Sequence, residues 1–150
     1  MKPSPLKKIQ LRNNRIKTIN SNAFHQLASI EEIDLSRNKV EHIGRQAFNF
    51  ANHNANTELK ISLAHNSLTS ASFEVDFIEL NNSNNAQHLS LDLSHNAIEE
   101  LKEAVFKPIL ARNELLTLDL TGNKVTCHNT AWLSKEENSK LAHRIKGIAC

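Results

Sequence analysis

The side chains best suited to chemistry here are histidines, aspartates, serines and two cysteines, and their spacing limits what they can do. His65 and His95 each stand directly before an asparagine, with Asp92 three residues upstream of His95. Two imidazoles beside a carboxylate are the parts of a metal site, or of a switch whose charge changes near neutrality. The plainer reading is that the position before the asparagine accepts any polar residue. Cys127 and Cys150 have His128 and His143 nearby in sequence, but not the paired spacing of zinc ligands. Buried thiols of a reducing compartment are one reading of the pair. No G-x-S-x-G, no H-E-x-x-H and no phosphate-cradling glycine loop occurs, and three glycines could not build one locally. The expectation is a protein that is not an enzyme, with no catalytic residues, no cofactor and no metal.

The elements that position these side chains are visible as a repeat. The pattern L-x-x-L-x-L-x-x-N-x-L is plainest in Leu6, Ile9, Leu11, Asn14 and Ile16. It returns as Ile30, Ile33, Leu35, Asn38, Val40; as Ile61, Leu63, Asn66, Leu68; as Leu91, Leu93, Asn96, Ile98; and as Leu115, Leu118, Leu120, Asn123, Val125. In the third and fourth copies Glu58 and His88 replace the first leucine, with Leu59 and Leu89 directly after, which predicts a one-residue slip at the strand entrance. Successive anchors Asn14, Asn38, Asn66, Asn96 and Asn123 lie 24, 28, 30 and 27 residues apart, so the later copies carry insertions. Each x-L-x-L piece alternates as a strand does, leucines inward and the intervening residues to solvent. Amphipathic helices would need apolar spacings of three or four, not the two seen in Ile9 and Leu11. The asparagine amide donates and accepts at once, so it can satisfy backbone groups of the bend that would otherwise be buried unpaired. A second apolar set follows each anchor: Ile19, Phe24, Leu27; Ile43, Phe48, Ala51; Phe77, Leu80; Leu101, Phe106, Ile109. It marks a convex side, where any helical character is expected.

After Asn123 the repeat stops, and Cys127-His128-Asn129-Thr130-Ala131-Trp132-Leu133, a charged helix-like stretch and Gly147-Ile148-Ala149-Cys150 follow. An end repeat exposes apolar surface, and Trp132, Leu133, Leu141 and Ile145 can cover it. The five copies together with this ending resemble the extracellular leucine-rich-repeat proteins that close in a C-terminal cysteine flank, over roughly residues 6–150. That flank has a Cys-x-Cys after the last asparagine, then Trp-Leu, then two later cysteines. Cys127 matches the first cysteine and Cys150 the third, while Asn129 stands at the second and the fourth is absent. The resemblance implies a disulfide between Cys127 and Cys150, because the two cysteines missing here pair with each other in the family. It implies an α/β solenoid, a leucine-rich-repeat right-handed superhelix with a parallel concave sheet and a C-terminal cap. The organisation expected is five repeats over 1–126 and a partial cysteine-flank cap over 127–150. A narrower stretch, Glu100 to Leu110 and on to Leu118-Asp119-Leu120-Thr121-Gly122-Asn123, resembles arthropod proteins similar to the non-catalytic subunit of oplophorus-luciferin 2-monooxygenase; luminescence is not carried over.

Function is then expected on the concave face, where solvent-facing strand positions of neighbouring repeats form rows. These are Lys8, Glu32, Lys60, Ser90, Thr117; Gln10, Asp34, Ser62, Asp92, Asp119; Arg12, Ser36, Ala64, Ser94, Thr121; and Asn13, Arg37, His65, His95, Gly122. The protein-binding residues expected are Arg12, Glu32, Asp34, Arg37, Lys60, His65, Asp92, His95 and Asp119. Such a mixed grid suits a folded protein partner. The 18 basic and 16 acidic residues are interspersed, giving +2 overall, which makes no phosphate-tracking face and argues against nucleic acid. No membrane insertion is expected from the sequence, and no secretory leader is present in it; an extracellular or secreted location follows from the cap and repeat class. Asn81-Asn82-Ser83 is an N-glycosylation acceptor in the longest insertion. Alternatives are a fragment of a longer receptor or adhesion ectodomain, a non-catalytic subunit that stabilises a separate enzyme, and an intracellular scaffold. With no capping segment before Leu6, Ile9, Leu11 and Ile16 are expected to leave an apolar edge that invites self-association.

Overall fold

The computed structural model of the chain describes residues 5–50, 53, 58–80 and 88–150. In chain order its elements are β1 (Lys8–Gln10), β2 (Thr18–Ile19), β3 (Glu32–Asp34), β4 (His42–Ile43), β5 (Phe48–Phe50), β6 (Leu59–Ser62), β7 (Ile78–Leu80), β8 (Leu89–Asp92), α1 (Glu103–Arg112), β9 (Leu116–Asp119), α2 (Ser139–Ala142) and β10 (Ile145–Lys146). Six strands form one parallel sheet in the order β1-β3-β6-β8-β9-β10. The same step is taken each time: Ile9 lies against Ile33, Ile33 against Ile61, Ile61 against Leu91, and Leu91 against Leu118. Parallel strands must be joined by a crossover, and here each crossover is the back of one repeat.

Alternation does what the pattern requires. Leu59, Ile61 and Leu63, then Leu89, Leu91 and Leu93, then Leu116, Leu118 and Leu120 are all buried, with polar residues between them at the surface. The slip at the strand entrance takes a particular form. Leu59, Leu89 and Leu116 are mutual register partners, and in the last repeat Leu116 is buried while Leu115 is only half-buried. In the second repeat the buried residue is Ile30, one position earlier, where its N–H closes a tight turn onto Leu27 O at 3.3 Å.

The back is mostly extended, not helical. β2 pairs with β4 and β5 with β7, both parallel, and α1 is the one helix of more than four residues among those described. α1 buries Val105, Phe106, Ile109 and Leu110, so it does face the core as the apolar set after Asn96 requires. Phenylalanines link one crossover to the next. Phe24 stacks on Phe48 at 5.4 Å, and Phe73, Phe77 and Phe106 meet with centroids 5.0–5.7 Å apart, in the offset and edge-on arrangements that rings prefer. Phe73 was not distinguished by the spacing, yet it is buried and bridges to Ile43. Ala51 falls outside the described residues.

The asparagines fasten one turn to the next. Asn66 Nδ2 donates to Leu63 O and Ala64 O of its own turn (3.0 and 3.3 Å) and to Leu35 O of the preceding repeat (3.0 Å). Its Oδ1 accepts from Val40 N at 3.0 Å. Asn38, Asn96 and Asn123 repeat this scheme, reaching back to Leu11 O, Leu63 O and Leu93 O and accepting from Ile16 N, Leu68 N and Ile98 N. Among the described residues Asn14 bonds only within its own turn, and it is exposed.

The C-terminal segment packs on α1 and adds the sixth strand. Trp132, Leu133, Leu141 and Ile145 do lie against the core, and the Trp132 Nε1–H donates to Leu101 O at 2.6 Å. The Arg144 guanidinium donates to Leu110 O, Asn113 O and Leu116 O, which satisfies carbonyls where α1 ends and β9 begins. β10 then pairs with β9, Ile145 against Leu118 and Lys146 against Asp119. Gly147 follows with φ +93°, and a Cβ there would collide with Thr121 N and the Leu120 carbonyl carbon. Cys127 and Cys150 are joined by a disulfide, with Cα atoms 5.0 Å apart and 23 residues of separation. By chain-entropy reasoning such a loop is worth about 3 kcal/mol. At the opposite end Ile9, Leu11 and Ile16 are partly buried against the core, and Leu6 is 43% exposed.

Replacing Asn66 by Ala leaves Val40 N without its acceptor and takes one of two amide donors from each of the Leu35 and Leu63 carbonyls, which keep Asn38 and Asn96, at about 1–3 kcal/mol in total. Asn66→Asp should cost no less, since a carboxylate oxygen would then face those carbonyls. Urea unfolding measures both, and a loss under about 1 kcal/mol for either variant would contradict the fastening role.

Candidate functional site

The surface to consider is the face of the six-stranded sheet turned away from the core. Its side chains alternate with the buried leucines, so the strands fix where each one stands. Register pairs Lys8 with Glu32, Glu32 with Lys60, Lys60 with Ser90 and Ser90 with Thr117, which is the first row read from the sequence. Lys8 Nζ and a Glu32 carboxylate oxygen are 4.0 Å apart across it, an exposed pair worth under about 1 kcal/mol. The second row is also in register: Gln10, Asp34, Ser62, Asp92, Asp119, extended by Lys146 of β10. Sequence spacing did not separate Lys146 or β10 from the helix-like stretch before them.

The aspartates of this row have a structural role that spacing alone did not show. Asp34 Oδ1 accepts from Ser36 N and Oγ at 3.0 and 2.6 Å, Asp92 Oδ1 from Ser94 N at 2.9 Å, and Asp119 Oδ1 from Thr121 N at 2.9 Å. Each aspartate thus caps the turn two residues on, the local bonding that short carboxylates favour. Desolvation by the neighbouring strands pushes the Asp119 carboxyl up, but bonds from Thr121 and the charges of Lys146 and His95 prevail and hold it below its ordinary value.

Beyond the named strands the backbone ladder continues for three residues. Leu11 N bonds Asp34 O, Asn13 N bonds Ser36 O, Arg37 N bonds Ala64 O, His65 N bonds Ser94 O and His95 N bonds Thr121 O, at 2.8–3.1 Å. Arg12 is exposed and opens the third row, but Ala64 and Ser94, expected there as solvent-facing, are buried, so that row does not continue as an exposed line. The fourth row, Asn13, Arg37, His65, His95 and Gly122, is entirely left-handed, with φ of 60°, 57°, 56°, 56° and 79°. The position before the anchor asparagine is therefore conformationally selective, and Asn13 and Gly122, residues that tolerate this region, were its signal.

That backbone aims two imidazoles along one line. The rings of His65 and His95 stack with centroids 4.5 Å apart and planes 9° from parallel. The His95 ring lies over Gly122 so closely that a Cβ there would strike it. Desolvation within the stack lowers the His65 imidazole from its ordinary value of 6.5; Arg37 and His95 push the same way, and Asp92 opposes them. Among the described residues no group of three or more His, Cys, Asp or Glu side chains converges as a metal site would. Nor is any described helix long and apolar enough to cross a membrane. A depression of about 330 Å³ lies at the end of the face, lined in part by Ser90, Thr117, Asp119, His143 and Lys146. Asn81 lies outside the described residues.

A histidine with a lowered value in the folded state binds fewer protons there than in the unfolded chain. Its contribution to stability is complete above 6.5 and is lost as the pH falls below that value. His65→Asn keeps a residue suited to the left-handed turn and removes the titration. Between pH 7.5 and 5.5 the urea midpoint of this variant should fall less than that of the parent; an equal or larger fall would show that His65 is not held down.

No curated protein matches the chain. Residues 4–53, the segment that holds β1 to β5 and the anchors Asn14 and Asn38, match the family model described as Leucine rich repeat, and the remaining turns carry the same asparagine bonds onward from that segment.

Proposed function

We propose that the chain is a non-enzymatic recognition module that binds a protein partner through the exposed face of its six-stranded sheet. In this reading the five turns, 1–126, wind as a right-handed leucine-rich-repeat solenoid, the sheet is its concave side, and 127–150 is the cap. The observation that carries it is the register: two rows of five outward positions across neighbouring strands, with the exposed Arg12, Arg37, His65 and His95 beyond them, on a backbone that neighbouring repeats bond together. Such a surface is rigid before a partner arrives, so little ordering entropy is lost on binding. Stacked repeats commonly bind proteins along an extended concave surface of this kind, and residues 4–53 match a repeat family.

Charge on this face is mixed, alternating along the first row, acidic along the second and basic at Arg12 and Arg37 beyond it, which favours a folded partner oriented by complementarity over one held by apolar burial. Arg12, Glu32, Arg37, Lys60, His65 and His95 are the residues we assign to contact. Asp34, Asp92 and Asp119 contribute charge but also hold their turns. The disulfide is consistent with an oxidising, extracellular setting.

Lys60 and Thr117 share the first row, are exposed, and take no part in the turn bonds. A Lys60→Glu, Thr117→Arg double variant should stay folded, with a midpoint lowered only slightly by Glu32 opposite the new carboxylate, and lose partners captured from native extract by at least about tenfold, the effect expected when charge on a binding face is reversed at one position and added at another. Retention of every partner by the variant would place the binding surface elsewhere.

A further inference from the structure

Resting on the reading of the sheet face as a protein-binding surface, we propose that Arg37, His65 and His95 form the strip that receives a partner's carboxylates, and that it grips them more tightly as the pH falls below neutrality. The three residues stand in consecutive repeats, all exposed and all in the left-handed conformation that directs them to the same side. The two imidazoles stack at 4.5 Å with nearly parallel planes. Neutral rings sit comfortably so; two protonated rings at that distance, next to a guanidinium, repel one another.

The charged groups facing the pair come from its own and from neighbouring repeats. Arg37 comes from the turn after β3, Asp92 from β8, Asp119 from β9 and Lys146 from β10. The two carboxylates do not cancel the charge gained on acidification. Each already spends one oxygen on a backbone N–H of its own turn, and Lys146 offsets Asp119. An incoming carboxylate supplies what is missing. His65 is held below 6.5 by its surroundings in the free protein, so an anionic ligand that raises it must take up a proton on binding. By linkage, binding that takes up protons strengthens as pH falls.

The row of aspartates decides what kind of anion fits. Asp34, Asp92 and Asp119 run alongside the strip and would repel a uniformly anionic polymer. A protein segment that sets glutamates or aspartates next to lysines or arginines complements both rows at once.

The test uses the whole chain and an acetylated, amidated peptide of alternating glutamate and lysine, with a glutamine–lysine peptide as control. Binding is followed through the imidazole proton resonances at pH 7.5 and 5.5. The glutamate peptide should bind roughly three- to tenfold more tightly at pH 5.5, the yield of two exposed ion pairs gained, and should shift both His65 and His95; the control should do neither. His65→Asn with His95→Asn, substitutions that suit the left-handed turn, should abolish the pH effect and leave the rest of the spectrum unchanged. Equal affinity at the two pH values, no binding at either, or a pH effect that survives in the double variant overturns the proposal. If the peptide is lost on Lys60→Glu, Thr117→Arg but not on the histidine changes, the sheet-face reading stands and the carboxylate strip falls. If neither pair of changes matters, both fall. A heparin fragment that binds more tightly than the peptide with the same histidine dependence overturns the protein partner in favour of a polyanion.

Discussion

Each asparagine amide at a strand exit holds two turns at once, and the stack depends on that double duty. A backbone bending away from a strand leaves carbonyls pointing inward and N–H groups without a strand to pair with. Asn66 and Asn96 answer both needs: the amide nitrogen bonds carbonyls of its own turn and of the turn before, while the amide oxygen takes an N–H from the preceding repeat. No carboxylate donates and no hydroxyl reaches both ways, so the residue type follows from the bonding. Because the bonds run between repeats, the spacing of the turns is set at the same points, and the strands have to come into register.

Register in turn makes the face. Once Ile33, Ile61, Leu91 and Leu118 are aligned inward, the residues on either side are aligned outward without further instruction. The aspartates of the middle row help fix the exit of their own strands, and the residue before each anchor is turned left-handed. Structural economy therefore places charge in stripes. What a partner meets is a consequence of how the turns close, and changes to Asp34, Asp92 or Asp119 would disturb both.

The C-terminal segment shows the same logic at an edge. β9 would present unpaired backbone groups, and β10 pairs them with just two residues. Arg144 is drawn into three carbonyls, and desolvation there lowers its guanidinium from its ordinary value while Glu114 opposes the shift. Gly147 permits the close approach that lets the chain pass under Thr121 and reach Cys127.

Local pattern was enough to predict the first five strands of the sheet, the anchors and the rows Lys8–Thr117 and Gln10–Asp119, because a two-residue apolar alternation and a recurrent asparagine are local signals read at fixed spacing. Its resemblance to the cysteine-flanked repeat proteins supplied the pairing of Cys127 with Cys150. The stacking of His65 on His95, the burial of Phe73, the clamp of Arg144 and the addition of β10 had no local signal. These depend on distances between residues far apart in the chain, and on backbone angles that no spacing records. The backs of the repeats were the least legible part: short parallel pairs there share apolar residues with α1, and which form wins is settled by what the neighbouring turn presents to pack against.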